Sequence, residues 1–254
     1  MHVTAIANQK GGVGKTTTAI NMAAGLANAG KKVLLVDFDP QANASSGIGL
    51  NTDEHESSYQ ALISKLSLAE LVVPTRIPQL DIVPAEMDLA GVEIELAGRD
   101  DQIMSLRNAL APIKESGQYD FCLIDTPPSL GILMTSALTA ADDVLIPLQC
   151  EWFGLEGLAK IVQIIQQISQ SGSNPDLVIG GILMTMYDNR TNLSKSVVEE
   201  VTNFFPEEVY SAIIPRTIRI SESPSHGLTI FEHDKSGTGA AAYNRAVKEF
   251  LTRH

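Results

Sequence analysis

Three glycines within four residues, set between two lysines and followed by two threonines, make Lys10-Gly-Gly-Val-Gly-Lys-Thr-Thr17 the part of the sequence best suited to chemistry. Gly11, Gly12 and Gly14, with Val13 between them, let the backbone curl so that successive N–H groups point inward, a cradle for phosphate oxygens at the start of a helix. Lys15 would neutralise β- and γ-phosphate charge, the Thr16 hydroxyl would ligate magnesium, and Thr17 is placed for the α-phosphate. A strict G-x-x-x-x-G-K-[ST] match needs glycine at position 9, where this chain has Gln9. The plainer reading is a glycine-rich turn with incidental lysines. At glycine's usual frequency of about 7% such a run arises rarely by chance, so nucleotide binding is expected. By spacing alone, Lys10 reads equally well as a solvated lysine at a strand end.

Acids follow at matching places. Asp37 and Asp39 close an apolar run in Val36-Asp-Phe-Asp-Pro-Gln41, and Asp125 closes another in Cys122-Leu-Ile-Asp-Thr-Pro-Pro128. If the extended chain persists through Asp39, the two-residue period puts Asp37 and Asp39 on one side. Any one of them could be a turn or cap residue. Three strand-end acids beside a phosphate loop read instead as a metal and hydrolysis set. Asp125 would hold magnesium, Asp39 would orient the water that attacks the γ-phosphate, and Asp37 would support Lys15 or the magnesium waters.

These residues need a scaffold that brings strand ends together, and the apolar pattern supplies one. Residues 3–8, 32–37, 80–83, 121–125, 144–148, 177–185 and 209–214 read as strands, and residues 16–29, 155–169, 193–204 and 240–254 as helices; 51–67 is loop or helix. The alternation predicts one α/β domain over residues 1–254: a mostly parallel twisted sheet, helices on both faces, ligands at the carboxyl ends of strands.

Composition narrows the class. No run of about 18 apolar residues exists, so no transmembrane helix is expected, and no signal peptide precedes the first strand, which points to the cytoplasm. Cys122 and Cys150 are expected to be buried and unpaired rather than bridged. Net charge is −12, unfavourable for a nucleic-acid binder. The acids are unevenly spread, however. Residues 184–254 hold eight basic against nine acidic residues, so the excess lies in the first three quarters.

The phosphate loop, with Val36-Asp-Phe-Asp-Pro-Gln-Ala-Asn43 and Asp125-Thr-Pro-Pro128, resembles the deviant Walker A type of P-loop NTPase, and within it the ParA/Soj partition ATPases. Asp188-Asn-Arg-Thr-Asn-Leu193 and the run from Ile214 to Gly227 extend the resemblance over nearly the whole chain. The resemblance implies a weak Mg2+-dependent ATPase that forms an ATP-sandwiched homodimer. Lys10 would reach the partner's nucleotide, Gly11 and Gly12 would lie where the two loops face, and Pro215, Arg216 and Thr217 would frame adenine. Arg190 and Arg219 would bind non-specific DNA on the nucleoid, and a ParB-like adaptor would stimulate hydrolysis to move a chromosome, plasmid or other cargo. Without an N-terminal helix-turn-helix, operator binding is not expected. Ala42 stands where many relatives have glycine. A MinD-like membrane regulator shares the loop but needs an amphipathic membrane helix, and residues 240–254 read as a packed helix instead, so no membrane partner is expected. Iron–sulfur relatives need bridging cysteines, and a kinase or synthetase needs an acceptor pocket; neither is legible.

Overall fold

The runs rich in Val, Leu and Ile form strands, because β-branched and apolar side chains fill both sides of a sheet covered by helices. The computed structural model describes residues 1–63, 66–99 and 101–254. Its strands are β1 (His2–Ile6), β2 (Val33–Asp37), β3 (Val73–Pro74), β4 (Leu80–Val83), β5 (Phe121–Asp125), β6 (Asp143–Gln149) and β7 (Val178–Thr185). They lie in the order β3-β4-β2-β5-β1-β6-β7, all parallel except β3, which pairs antiparallel with β4.

Side chains alternate across the sheet and so divide the core in two. Val3, Ala5, Leu34, Val36, Cys122 and Ile124 face one way, packed under the helices Ser105–Ser116, Ile132–Ala140, Trp152–Gln170 and Asn192–Phe204. Ile6, Val33, Leu35 and Leu123 face the other, under the helices Lys15–Asn28 and Thr238–Arg253. The latter two approach closely at Gly25, where an added Cβ would stand 2.5 Å from Val247. Tyr243, Val247 and Phe250 are buried in that contact, so the terminal helix has no free apolar face to lay on a lipid surface. Among the described residues no helix is long and apolar enough to cross a membrane.

One expected strand does not form. Residues 209–214 run beside β7 with hydrogen bonds at Tyr210 and Ile214 but make only isolated bridges, Ile182 with Val209 and Tyr187 with Pro215. Between them the Ser211 and Ala212 N–H groups donate to the Glu249 carboxylate, at 3.0 and 3.1 Å, so a side chain takes the place of the next sheet rung. The uncertain stretch 51–67 holds short helical turns, Thr52–Glu54 and Ser58–Leu62, with residues 64 and 65 outside the described set. Cys122 and Cys150 are buried and free, as expected.

Candidate functional site

Register sets the site. Asp125 is paired with Ile6 on one side and with Asp37 on the other, so the last residues of β1, β2 and β5 stand abreast. The chain leaving β1 turns through residues 7–14 and enters its helix at Lys15. Gly12 and Gly14 have φ of 74° and 89°, a left-handed geometry that favours glycine. Gly14 is the N-cap of Lys15–Asn28 and offers no side chain to cap it. The first amide groups of that helix therefore face outward with the positive end of its dipole. Three hydrogen bonds from two side chains hold the loop in shape. Thr185 Oγ1 donates to the Val13 carbonyl at 2.9 Å, Asn8 Nδ2 donates to the Pro147 carbonyl at 2.8 Å, and Asn8 Oδ1 accepts from the Lys10 amide at 3.0 Å.

Negative charge exceeds positive here. Asp37, Asp39 and Asp125 are all buried, and Lys15 is the buried lysine among them. Asp37 is bonded within the chain: its carboxylate accepts from Ser45 N and Oγ at 2.8 and 2.7 Å and from the Asp39 amide at 3.3 Å. Burial nonetheless raises its pKa, to about 6. Asp125 is fully buried with neither carboxylate oxygen in a hydrogen bond of ordinary geometry. Burial and then the charge of Asp37 push its carboxyl well above the usual range, against the pull of the nearby Thr16 hydroxyl and Lys15. Burial lowers the Lys15 pKa, opposed by Asp125 and Asp39, and its ammonium rests on the Lys10 carbonyl at 3.4 Å. A buried carboxylate with no more than a threonine hydroxyl beside it, close to a run of amides, fits a hard cation with an anion next to it.

Two cavities meet above the loop. One, of about 360 Å³, is lined by Gly11, Lys15, Thr16 and Asp39 with Gln41 and Asn43. The other, of about 270 Å³, is lined by Pro215, Arg216, Thr217, Ile220 and Tyr243. Gly14, Thr17 and Met186 line both. The half floored by the glycine loop with Lys15 and Thr16 suits phosphates, and the half walled by Pro215, Ile220 and Tyr243 suits a flat base. Thus the structure brings together Gly11, Gly12, Gly14, Lys15, Thr16, Thr17, Asp39, Pro215, Arg216 and Thr217, with Asp125 behind them and Val13 as the buried anchor.

The remaining expected residues lie apart. Lys10 is turned away from the polar cavity, its ammonium 3.4 Å from Gln149 Oε1 and 3.9 Å from Glu151 Oε2. Arg190 is on the surface in a bidentate pair with Asp188 at 2.9 and 2.7 Å, and Arg219 is on the surface 3.6 Å from Glu222. A Cβ at Gly11 or Gly12 would meet nothing within 4 Å, so no neighbour in this chain demands their small size. Sequence reading overlooked Met186, held at a left-handed φ of 52°, and Ser45, which ties down Asp37. The end of the apolar run at Thr185 marked the place of Met186; nothing local pointed to Ser45.

Residues 1–179 match the family model described as an AAA domain. Over 249 residues the chain is 48% identical to the chromosome partitioning protein ParA of Myxococcus xanthus, covering 98% of this chain and 87% of that one. It is 46% identical to the sporulation initiation inhibitor protein Soj of Bacillus subtilis, covering 97% of each. Among solved structures, cobyrinic acid a,c-diamide synthase from Mycobacterium smegmatis, with bound ATP analog and magnesium, superposes with a TM-score of 0.87 at 36% identity, covering 99% of this chain and 94% of that one.

Proposed function

The chain belongs to the ParA/Soj family of chromosome-partitioning ATPases, and we propose that residues 1–254 act as one weak ATPase unit that switches between free and DNA-bound states through an ATP-sandwiched dimer. The cavity floor reads as the phosphate half of an ATP site, with the pocket at Pro215, Arg216 and Thr217 taking adenine. Thr16 and Asp125 would hold Mg2+, which when bound screens the phosphate charge. Lys15 neutralises the same phosphates from inside the loop. Asp39, held by the Gln41 amide at 3.0 Å, orients and polarises the attacking water.

The observation that carries the dimer is the outer face of the loop. Gly11 and Gly12 open onto empty space, and Lys10 points out of its own cavity. A second copy placed loop to loop would use both, with Lys10 crossing to the partner's nucleotide. Arg190 and Arg219 then form a doubled basic surface for DNA, whose weak contacts gain avidity in the dimer. Asp188 neutralises Arg190 at present, but an exposed pair of this kind exchanges cheaply for a phosphate. A ParB-like adaptor with a basic segment suits the acidic remainder of the chain and would speed hydrolysis. The protein would thereby move its cargo over the nucleoid, in the cytoplasm.

Gel filtration with ATP, with ADP and without nucleotide, on wild type and Asp39→Ala, tests this. Asp39→Ala should bind ATP, hydrolyse it about 100-fold more slowly and accumulate as a dimer that retains DNA. An elution volume indifferent to nucleotide in both proteins would remove the switch. DNA binding that ignores salt, or survives Arg219→Ala unchanged, would remove the assigned DNA surface.

A further inference from the structure

At the opposite end of the sheet, three side chains that the nucleotide chemistry does not use converge. His2 opens β1, Asp143 opens β6, and His254 follows the terminal helix; one potential ligand atom from each lies within 4.8 Å of the others. Asp143 Oδ2 is 3.3 Å from His2 Nε2 and 2.5 Å from His254 Nε2. The pocket around them is built for the carboxylate. Gly180 on β7 is filled against it so closely that an added Cβ would stand 2.1 Å from Asp143 Oδ2. Phe250 stacks on the His254 ring, with centroids 4.2 Å apart, and the Phe250 carbonyl lies 2.9 Å from Nδ1, which fixes Nε2 as the atom turned to Asp143.

Two atoms of the group are incompletely satisfied. His2 Nε2 has only its long approach to Asp143 Oδ2, and Asp143 Oδ1, on a side chain 3% exposed, has no hydrogen bond of ordinary geometry. Against the upward push of burial, His2, His254 and the Thr4 hydroxyl nonetheless together hold the Asp143 carboxyl down to a pKa of about 2. Ligands about 2.0–2.1 Å from a tetrahedral zinc ion stand about 3.3 Å apart, which is the His2–Asp143 separation. The shorter His254–Asp143 contact is a hydrogen bond, which an ion would open and replace. Nearby charges leave the position open: Asp142 is 3.9 Å from His2 Nδ1 and is itself neutralised by Lys114 at 2.7 Å, while Arg253 is bound to Glu249 and to backbone carbonyls.

We propose that His2, Asp143 and His254 form a binding site for one first-row divalent transition ion, Zn2+ foremost, that fastens the terminal helix to the first strand. Two imidazoles and one carboxylate are borderline donors that select such an ion over Mg2+. His2 is 31% exposed, which gives the ion a way in and leaves solvent to fill the fourth position. Binding releases the proton of the His254–Asp143 hydrogen bond, so affinity rises with pH.

The test uses untagged, nucleotide-free full chain, titrated with ZnCl2, CoCl2 and MgCl2 in separate arms. Expected are one Zn2+ per chain at this site, a rise in Tm with Zn2+, and Co2+ visible absorption of tetrahedral intensity; Mg2+ should elicit none of these here. His2→Ala and His254→Gln should each weaken Zn2+ binding about 100-fold or more, since even outer partners of a metal site cost 10–100-fold. The double variant His2→Ala/His254→Gln, checked for fold by circular dichroism, should bind one ion fewer than wild type. Any Zn2+ taken up by Asp39 and Asp125 would persist in it. Equal stoichiometry and affinity in wild type and double variant, or no tetrahedral Co2+ spectrum in wild type, overturns the proposal.

Discussion

The two ends of the parallel sheet treat charge in opposite ways. At the amino end nearly every acid has an answer inside the chain. Asp120 accepts from the Lys32 amide at 2.8 Å, Asp142 from the Val3 amide and from Lys114, and Asp143 meets two imidazoles. At the carboxyl end three buried acids surround one buried lysine, and Asp125 has only the nearby Thr16 hydroxyl and the Lys15 charge to answer it, with no hydrogen bond of ordinary geometry. Burying an unanswered carboxylate destabilises a fold, so the second end is held together by the rest of the molecule while it waits for a charged ligand. Stability and function thus occupy opposite ends of the same strands.

Four substitutions break or sharpen this contrast. The largest effect belongs to Asp125→Asn: phosphate release should fall by about 10²–10⁴, several kcal/mol in the transition state. In magnesium-free buffer the same variant should melt higher, because the buried charge is gone; a lower Tm would mean that Asp125 is structurally satisfied after all. Gly11→Val comes next. It should abolish the ATP-dependent dimer in light scattering and leave the monomer's Tm unchanged, since its Cβ meets nothing within 4 Å.

At the amino end, Arg253→Ala should cost about 2–4 kcal/mol in denaturant unfolding and leave ATP affinity unaltered. Arg253 lies over the Tyr210 ring at 4.3 Å and donates to the carbonyls of Glu207 and Val209 and to Glu249. The smallest effect is Ala42→Gly. Ala42 sits at a φ of 50°, so glycine there should stabilise by about 0.5–1 kcal/mol, seen as a small rise in Tm.

The carboxyl end was legible in the sequence because its parts are local. Glycine spacing, strand-terminal acids and the step from an apolar run into a helix each lie within a few residues, and the parallel register then aligned them. Ala42 was legible as a departure, and its left-handed backbone explains why glycine suits the place. What failed depends on distant partners. The pattern of residues 209–214 reads as a strand, yet Glu249, almost forty positions later, captures two of its N–H groups. Lys10 is a separate case: it is named by resemblance, in the single chain it is directed by Gln149 and Glu151, and its crossing to a partner stays a proposal. The two-residue strand Val73–Pro74 is too short to leave a periodic signal, and Met186 lacks the glycine that marks most left-handed turns.

The close packing of Lys15–Asn28 on Thr238–Arg253 has a consequence for the order of events during synthesis. The helix that carries the phosphate loop is made among the first thirty residues, but Val247, which covers its flank at Gly25, and the Thr18–Tyr243 hydroxyl contact come more than two hundred residues later. A nascent chain still lacking that segment would carry the whole glycine loop on a helix seated on the sheet but bare along the flank at Gly25. Nucleotide affinity should therefore arrive late, after the helix Thr238–Arg253 clears the ribosome, rather than when the loop itself emerges.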